Sequence, residues 1–195
     1  MISRNTISGK LTSFVPEVSP RDQRLFSHNE RAKPVAAAVL IPIISRESGL
    51  SILLTKRNEH LKVHAGQVSF PGGKVSASDT DREETALREM LEETGISVSR
   101  PNVIGVLPEY DIRTGFRVSP FVGWIDYPFT AKPDRGEVEA IFEVPFELIL
   151  DTNNYVLESR FIDDEQHHFY RLPYKPYNIW GATAGILHTL AVALK

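Results

Sequence analysis

The sequence has no cysteine among its 195 residues, which excludes disulfide bonds, thiolate metal sites and thiol nucleophiles. It also lacks an excess of charge, because 22 basic and 25 acidic residues give a formal net charge of −3. Composition therefore gives no reason to expect a nucleic-acid or membrane partner. An anionic ligand would need a local basic site.

Long apolar runs are absent as well. No stretch approaches the ~20 apolar residues of a membrane-spanning helix, and the N-terminal MISRNTISGKLTSF lacks the apolar core of a signal peptide. A soluble, cytoplasmic protein is the simplest expectation. The length fits one ordinary domain, so we expect a lead-in over residues 1–34 that packs on a single domain over residues 35–195.

Apolar or alternating segments bounded by turn residues predict the strands. They cover 35–44, 50–57, 67–70, 103–107, 116–125, 138–144, 154–161 and 168–172. The turn RESG makes the first two strands a hairpin, and DDEQH makes the last two another. His167 and His168 would lie in that second turn and are not expected to be ligands.

Helical spacing predicts a helix of about three turns after the glycine pair Gly72 and Gly73. Its apolar stripe comprises Ala86, Leu87, Met90, Leu91 and Thr94. Asp79 or Thr80 would cap its start, and Gly95 would end it. Further helices are predicted within residues 1–34, over 145–150 with proline in the first turn, and from residue 179 onward. The element pattern predicts one mixed α/β domain.

The helix after the glycine pair crowds three glutamates, Glu89, Glu92 and Glu93, whose spacing places them on one face. Three convergent carboxylates suit Mg²⁺ or Mn²⁺, whose charge would remove their mutual repulsion. Arg88 is placed to orient a carboxylate by charge-assisted hydrogen bonds. The alternative is a solvated acidic face without a ligand.

The run from Gly73 to Arg88-Glu89-Met90-Leu91-Glu92-Glu93-Thr94-Gly95-Ile96 resembles the Nudix box, G-x5-E-x7-R-E-U-x-E-E-x-G-U, where U is aliphatic. The second half matches at every defined position. In the first half, Asp79 stands where the first glutamate is expected, and eight residues instead of seven separate it from Arg88.

The preceding segment, 53-LLTKRNEHLKVHAGQVSFPGG-73, resembles the signature of the coenzyme A pyrophosphatase branch of the Nudix hydrolases. That signature is roughly L-L-T-x-R-x-x-x-L-x-x-H-x-G-x-V-x-F-P-G-G, and the branch carries the same extra residue in its box. Every defined position is met. Looser likeness through 104–111, 118–123 and 180–186 extends the resemblance over most of the chain from about residue 35.

The resemblance implies a Nudix α/β/α sandwich with a mixed β-sheet and the Nudix loop-helix-loop. It also implies a small-molecule substrate, with metal-dependent hydrolysis of coenzyme A to 3′,5′-ADP and 4′-phosphopantetheine. Mg²⁺ or Mn²⁺ would be the cofactor. Neither nucleic acid nor membrane is an expected partner, and monomer and homodimer both stay open.

The resemblance also assigns roles to residues. Glu89 and Glu93 would be the first metal ligands, with Glu92 next, and Glu89 is our choice for the group that orients or deprotonates water. Glu137 is our choice among Glu137, Glu139 and Glu143 for an acid from outside the box. The alternative for Glu139 and Glu143 is that they are outward positions of a strand.

Four upstream residues are the candidate substrate contacts. Arg57 and His64 would bind phosphate, and Gly72 and Gly73 would shape a turn while lending their N–H groups. The alternatives are that Arg57 pairs with a nearby acid at the end of its strand and that His64 hydrogen-bonds within its loop.

Two other functions stay open. One is a Nudix hydrolase that acts on another nucleoside diphosphate derivative, such as a nucleoside triphosphate, an ADP-sugar or a dinucleotide. The other is a catalytically silent binding module, which the presence of both Glu89 and Glu93 disfavours.

Overall fold

A computed structural model describes residues 2–16, 34–162 and 165–195. The helices are α1 Arg4–Ser13, α2 Arg82–Thr94, α3 Phe146–Leu150 and α4 Gly181–Ala193. Short 3₁₀ helices cover Arg100–Asn102 and Thr152–Asn154. The strands are β1 Val35–Arg46, β2 Gly49–Arg57, β3 Val68–Ser69, β4 Gly72–Lys74, β5 Val103–Val106, β6 Tyr110–Ile112, β7 Phe116–Asp126, β8 Val138–Pro145, β9 Val156–Ile162, β10 Glu165–Tyr174 and β11 Tyr177–Trp180.

The main sheet is mixed and is built around β1. This long apolar strand pairs antiparallel with β2 and β4 and parallel with β7. Strand β8 adds to β2, while β5 and β6 add to β7. A second sheet has the strand order β11-β10-β9 and is antiparallel throughout.

Helices cover both faces of the main sheet, as expected for an α/β/α arrangement. On one face, Ala86 and Met90 of α2 pack with Leu40 and Leu53 of the sheet, and all four are essentially inaccessible to solvent. The larger core on the other face includes residues from α1, α3 and α4. The predicted mixed α/β fold is therefore confirmed.

The N-terminal helix α1 packs against this larger core. Ile7 and Leu11 are buried, and the Ser8 hydroxyl donates a hydrogen bond to the backbone carbonyl of Ile104. The remainder of the predicted lead-in, residues 17–33, lies outside the described residues. Among the described helices, none combines the length and apolar character needed to cross a bilayer.

Several local predictions were wrong. Gly72 and Gly73 form strand β4 instead of a turn, because hydrogen bonding to β1 extends their backbone. Asp81, and neither Asp79 nor Thr80, accepts the capping hydrogen bond at the start of α2. Leu91 is 48 % exposed instead of belonging to the packing stripe.

The C-terminal hairpin also differs from its prediction. His167 and His168 lie within β10 and face Arg160 and Ser159 of β9, so they are strand residues; positions 163 and 164 between the two strands are outside the described chain.

Pro145 precedes the first turn of α3 as its N-cap residue. Strand β11 was not predicted, and it leads directly into α4.

Candidate metal centre

The ends of α2 fix the positions of its acidic side chains. The Asp81 carboxylate accepts a hydrogen bond from the Glu84 backbone N–H at 2.8 Å. Gly95 ends the helix with φ of 71°, a left-handed conformation that favours glycine. A Cβ at this position would also lie 2.9 Å from the Lys132 carbonyl oxygen. The Lys132 N–H donates to the Thr94 carbonyl at 2.7 Å, which holds the helix end against the loop that leads to β8.

Five carboxylate residues line a small cavity of about 160 Å³ at the end of α2. They are Glu89, Glu92 and Glu93 of the helix and Asp134 and Glu137 of the loop before β8. The structure therefore brings all three glutamates of the sequence motif together with Glu137. Asp134 was missed, because the sequence offered no signal beyond its place in the turn PDRGE.

Backbone hydrogen bonds hold the loop acids beside the helix. The Asp134 N–H donates to the Glu93 carbonyl at 3.1 Å, and the Glu137 N–H donates to the Asp134 carbonyl at 3.1 Å. The Asp134 carboxylate accepts from the Gly136 N–H at 2.8 Å. The first of these contacts joins two segments that are distant in sequence, so only the folded chain reveals the complete acidic set.

Glu93 is the most buried member of the set, with 4 % of its surface exposed. Burial raises the pKa of its carboxyl to about 8. The positive charge of nearby Arg57 acts to lower this pKa, and the negative charge of Glu89 acts to raise it further. The Thr55 hydroxyl donates to it at 3.4 Å, and the Gly72 N–H also donates to it. A buried carboxylate without a full counter-charge is costly, so this position favours an added cation.

Glu89 lies next to β4 and is partly buried. Burial raises the pKa of its carboxyl, although the hydrogen bond from Arg88 acts in the opposite direction. A Cβ on Gly73 would lie 2.8 Å from Glu89 Oε2 and closer still to Oε1. Glycine at position 73 is therefore required for the observed position of this carboxylate.

Arg88 connects the acidic face to the loop before the helix. Its Nη1 donates to Glu89 and to Glu92, each at 2.8 Å. Its Nε and Nη2 donate to the two carboxylate oxygens of Asp79 at 2.9 and 3.1 Å. Arg88 thus orients two of the glutamates, as predicted from the sequence, and Asp79 holds Arg88.

Arg57 lies at the end of β2, close to two of the acids that line the cavity. Its Nη1 is 3.8 Å from Glu137 Oε2, while its Nε is buried and makes no hydrogen bond. It also lies close enough to Glu93 for its positive charge to lower the pKa of that carboxyl. Its guanidinium is a cation beside the acids, with donor capacity that a phosphate oxygen could use.

The other upstream candidates have different surroundings. His64 is exposed, has a φ of 58°, and its Nδ1 is 2.9 Å from the side-chain oxygen of Gln67. This contact is a hydrogen bond within the loop, which is the alternative to a phosphate contact for His64. Gly72 and Gly73 pack β4 against β1 and α2; phosphate contacts from their N–H groups and from His64 stay predictions.

The other two candidate acids, Glu139 and Glu143 of β8, form ion pairs away from the cavity. Glu143 binds Arg46 through two hydrogen bonds, at 2.6 and 3.1 Å, and accepts another from Ser51. Glu139 forms an ion pair with Lys56 at 2.9 Å. Neither lines the acidic cavity, so the structure favours Glu137 over both as the acid from outside the helix.

The donor set fits a hard divalent cation. All five side chains offer carboxylate oxygens, which Mg²⁺ and Mn²⁺ prefer, and water or phosphate can fill further positions. Within the described ranges no group of three acidic or histidine side chains is already arranged as a coordination shell. Two of the glutamates instead share Arg88, so binding would require small side-chain rotations about α2.

Known proteins resemble this chain in sequence and in structure. The NUDIX domain family matches residues 34–170. The uncharacterized Nudix hydrolase NudL of Escherichia coli O7:K1 is 44% identical over 160 residues, which are 81% of this chain and 82% of that protein. The protein of the same name from Escherichia fergusonii gives the same values. A MutT/nudix family protein from Enterococcus faecalis superimposes with a TM-score of 0.52 at 17% identity, covering 92% of this chain and 64% of that one.

Proposed function

The chain belongs to the Nudix family, and on that premise we propose that it hydrolyses the pyrophosphate bond of coenzyme A or its derivatives in a reaction that requires Mg²⁺ or Mn²⁺. The products would be 3′,5′-ADP and 4′-phosphopantetheine, or the acyl form of the latter. The observation that carries the hydrolytic part is the cavity in which Glu89, Glu92 and Glu93 meet Asp134 and Glu137. The choice of coenzyme A is supported by the signature over residues 53–73.

The acidic side chains would hold the cation. Glu89, Glu93 and Glu92 are the proposed ligands from α2, and Glu137 is the proposed ligand from the loop before β8. A bound divalent ion supplies positive charge to the pyrophosphate and makes a nearby water more acidic. Arg88 holds Glu89 and Glu92 on one side of the helix through its hydrogen bonds, and both side chains would rotate toward the cation when it binds.

Water attack at one phosphorus forms a new P–O bond and breaks the bond from that phosphorus to the bridging oxygen. The leaving phosphate group keeps the bridging oxygen, and the water proton must be removed. Glu89 is the proposed acceptor of that proton, because burial raises the pKa of its carboxyl while 17% of its side chain stays accessible to water. Arg57 would bind a phosphate oxygen through its guanidinium and place the substrate beside the acids.

A substrate panel tests this proposal. Purified protein with Mg²⁺ or Mn²⁺ would be assayed against coenzyme A, ADP-ribose, diadenosine compounds and nucleoside triphosphates, with products separated by chromatography. We expect the highest kcat/KM for coenzyme A and reversible loss of activity with a chelator. A higher value for another compound would reassign the substrate within the family. Binding without hydrolysis of any compound would indicate a silent module.

Dephospho-coenzyme A is the matched comparison substrate, because it differs from coenzyme A only by the absence of the 3′-phosphate. If Arg57 or a neighbouring lysine binds that group, the KM for the dephospho compound should be raised while kcat changes little. Equal kcat/KM for both compounds would exclude a dedicated contact with the 3′-phosphate.

A further inference from the structure

Strand β9 has a free edge. It is the last strand of the sheet ordered β11-β10-β9, and within residues 2–16, 34–162 and 165–195 no strand pairs with its other side. Its pairing with β10 is continuous from Val156 to Ile162, without a bulge. Alternate residues of such an edge direct unpaired N–H and C=O groups outward, so β9 offers a continuous template for another strand.

The side chains of β9 do not protect this edge. Phe161 is 76% exposed, and Val156 and Leu157 are each 41% exposed. Natural edge strands usually avoid pairing through lysine, proline, a bulge or a covering element. Strand β9 carries no lysine, proline or bulge, and among residues 2–16, 34–162 and 165–195 no strand covers its edge. Its large exposed apolar groups would gain from burial.

The sequence of β9 complements itself. In an antiparallel pair of two β9 strands with the two-fold axis at Ser159, Glu158 of one copy faces Arg160 of the other. Leu157 then faces Phe161 of the other copy. Residues two apart share a face of the sheet, so the opposite charges meet on one face and the apolar groups meet on the other. Each pair occurs twice by symmetry.

The charged pair would extend an existing ion pair. Glu158 already accepts a hydrogen bond from Arg171 on the neighbouring strand, yet 32% of its side chain stays exposed. The Arg160 guanidinium lies 5.4 Å from the Phe169 ring centroid and 5.7 Å from that of Trp180. A carboxylate accepts from two guanidinium groups, so Arg171, Glu158 and Arg160 of the second copy would form a row of alternating charge.

We propose that this chain forms a symmetric homodimer in which β9 pairs antiparallel with β9 of a second copy about Ser159, joining two three-stranded sheets into one of six strands. A second copy is the partner that fits, because the complementarity is between the strand and itself. A pair of edge strands buries less area than a large obligate interface, so the dimer should be concentration dependent. This inference is independent of the proposed substrate.

Charge exchange tests the register. Sedimentation equilibrium of the parent should give a dimer at high concentration. Arg160→Glu alone and Glu158→Arg alone should each weaken dimerisation by at least about tenfold, because two attractive cross-strand pairs become repulsive. An equimolar mixture of the two variants restores opposite charges at both pairs and should form a heterodimer. Lys175→Glu, an exposed position between β10 and β11, is the control and should dimerise like the parent.

A crosslink tests the same register without changing charge. Because the chain has no cysteine, Ser159→Cys introduces a single thiol at the two-fold axis, where directly opposed Cβ atoms are about 4.5–5.5 Å apart. Oxidation by copper phenanthroline should link this variant at least about tenfold faster than Lys175→Cys, owing to its higher effective concentration. A monomeric parent at all concentrations, no heterodimer in the mixture, or equal crosslinking rates would each overturn the proposal.

Discussion

The Asp79 carboxylate receives two hydrogen bonds from the Arg88 guanidinium, with N–O distances of 2.9 and 3.1 Å. Only 2% of the Asp79 side chain is exposed. It also accepts hydrogen bonds from the Ser76 N–H and the Thr85 hydroxyl, and the guanidinium is the largest cause of its lowered pKa. Asp79 is therefore an anchor for the loop before α2 and for Arg88, and it does not line the acidic cavity.

Asp79→Ala should lower the melting temperature, because it removes a carboxylate that ties the loop to α2. Arg88 would keep its hydrogen bonds to Glu89 and Glu92, so kcat should stay within about tenfold of the parent. Glu89→Ala should do the reverse, with kcat lowered by at least about 10²-fold and a smaller change in melting temperature. Thermal denaturation and steady-state kinetics check both. Complete loss of activity in Asp79→Ala at an unchanged melting temperature would place Asp79 among the catalytic acids.

Glu93→Gln tests the buried member of the cavity. The amide is nearly isosteric and removes a carboxylate whose pKa is raised to about 8 by burial, so the melting temperature without metal should hold or rise. We expect kcat to fall by at least about 10²-fold. The stabilisation of the parent by added Mn²⁺ should be lost in the variant, which is a readout independent of turnover. Normal turnover at saturating Mg²⁺ would refute the assignment as a ligand.

Gly73→Ala tests the close approach of β4 to Glu89. The added Cβ would displace the Glu89 carboxylate, and a displacement of about 1 Å at a reacting group lowers the rate on the order of 10²-fold. We expect that loss in kcat with the circular dichroism spectrum unchanged. The matched control is Gly9→Ala in α1, where a Cβ meets nothing within 4 Å; it should keep full activity.

Glu137→Gln and Glu139→Gln separate the two acids nearest the start of β8. Glu137 lines the cavity, so its replacement should lower kcat/KM at least about tenfold and raise the Mg²⁺ concentration needed for activity. Glu139 pairs with Lys56 at the surface, and its replacement should leave kcat/KM within about twofold, since exposed pairs contribute little. Equal effects of the two substitutions would contradict the choice of Glu137.

Local patterns in the sequence were sufficient for most of the architecture. Strands β1, β2, β7 and β8 were predicted from apolar runs, and the end of α2 was predicted from Gly95. These features depend on neighbouring residues, because periodicity, turn formation and helix termination act over a few positions. The family resemblance also selected Glu89, Glu92 and Glu93 from the 25 acidic residues of the chain.

The tertiary structure decided what depends on contacts between distant segments. Glu93 turns inward and is buried because α2 packs on β1 along a face that includes Met90. Helical spacing alone placed all three glutamates on one face and did not indicate how deeply each is buried. The loop that carries Asp134 and Glu137 reaches the cavity through backbone hydrogen bonds from Lys132 and Asp134 to the end of α2, which no local pattern encodes. The sequence thus determined which acids stand on one helix, and the fold determined how deeply each is desolvated and which acids from elsewhere complete the set.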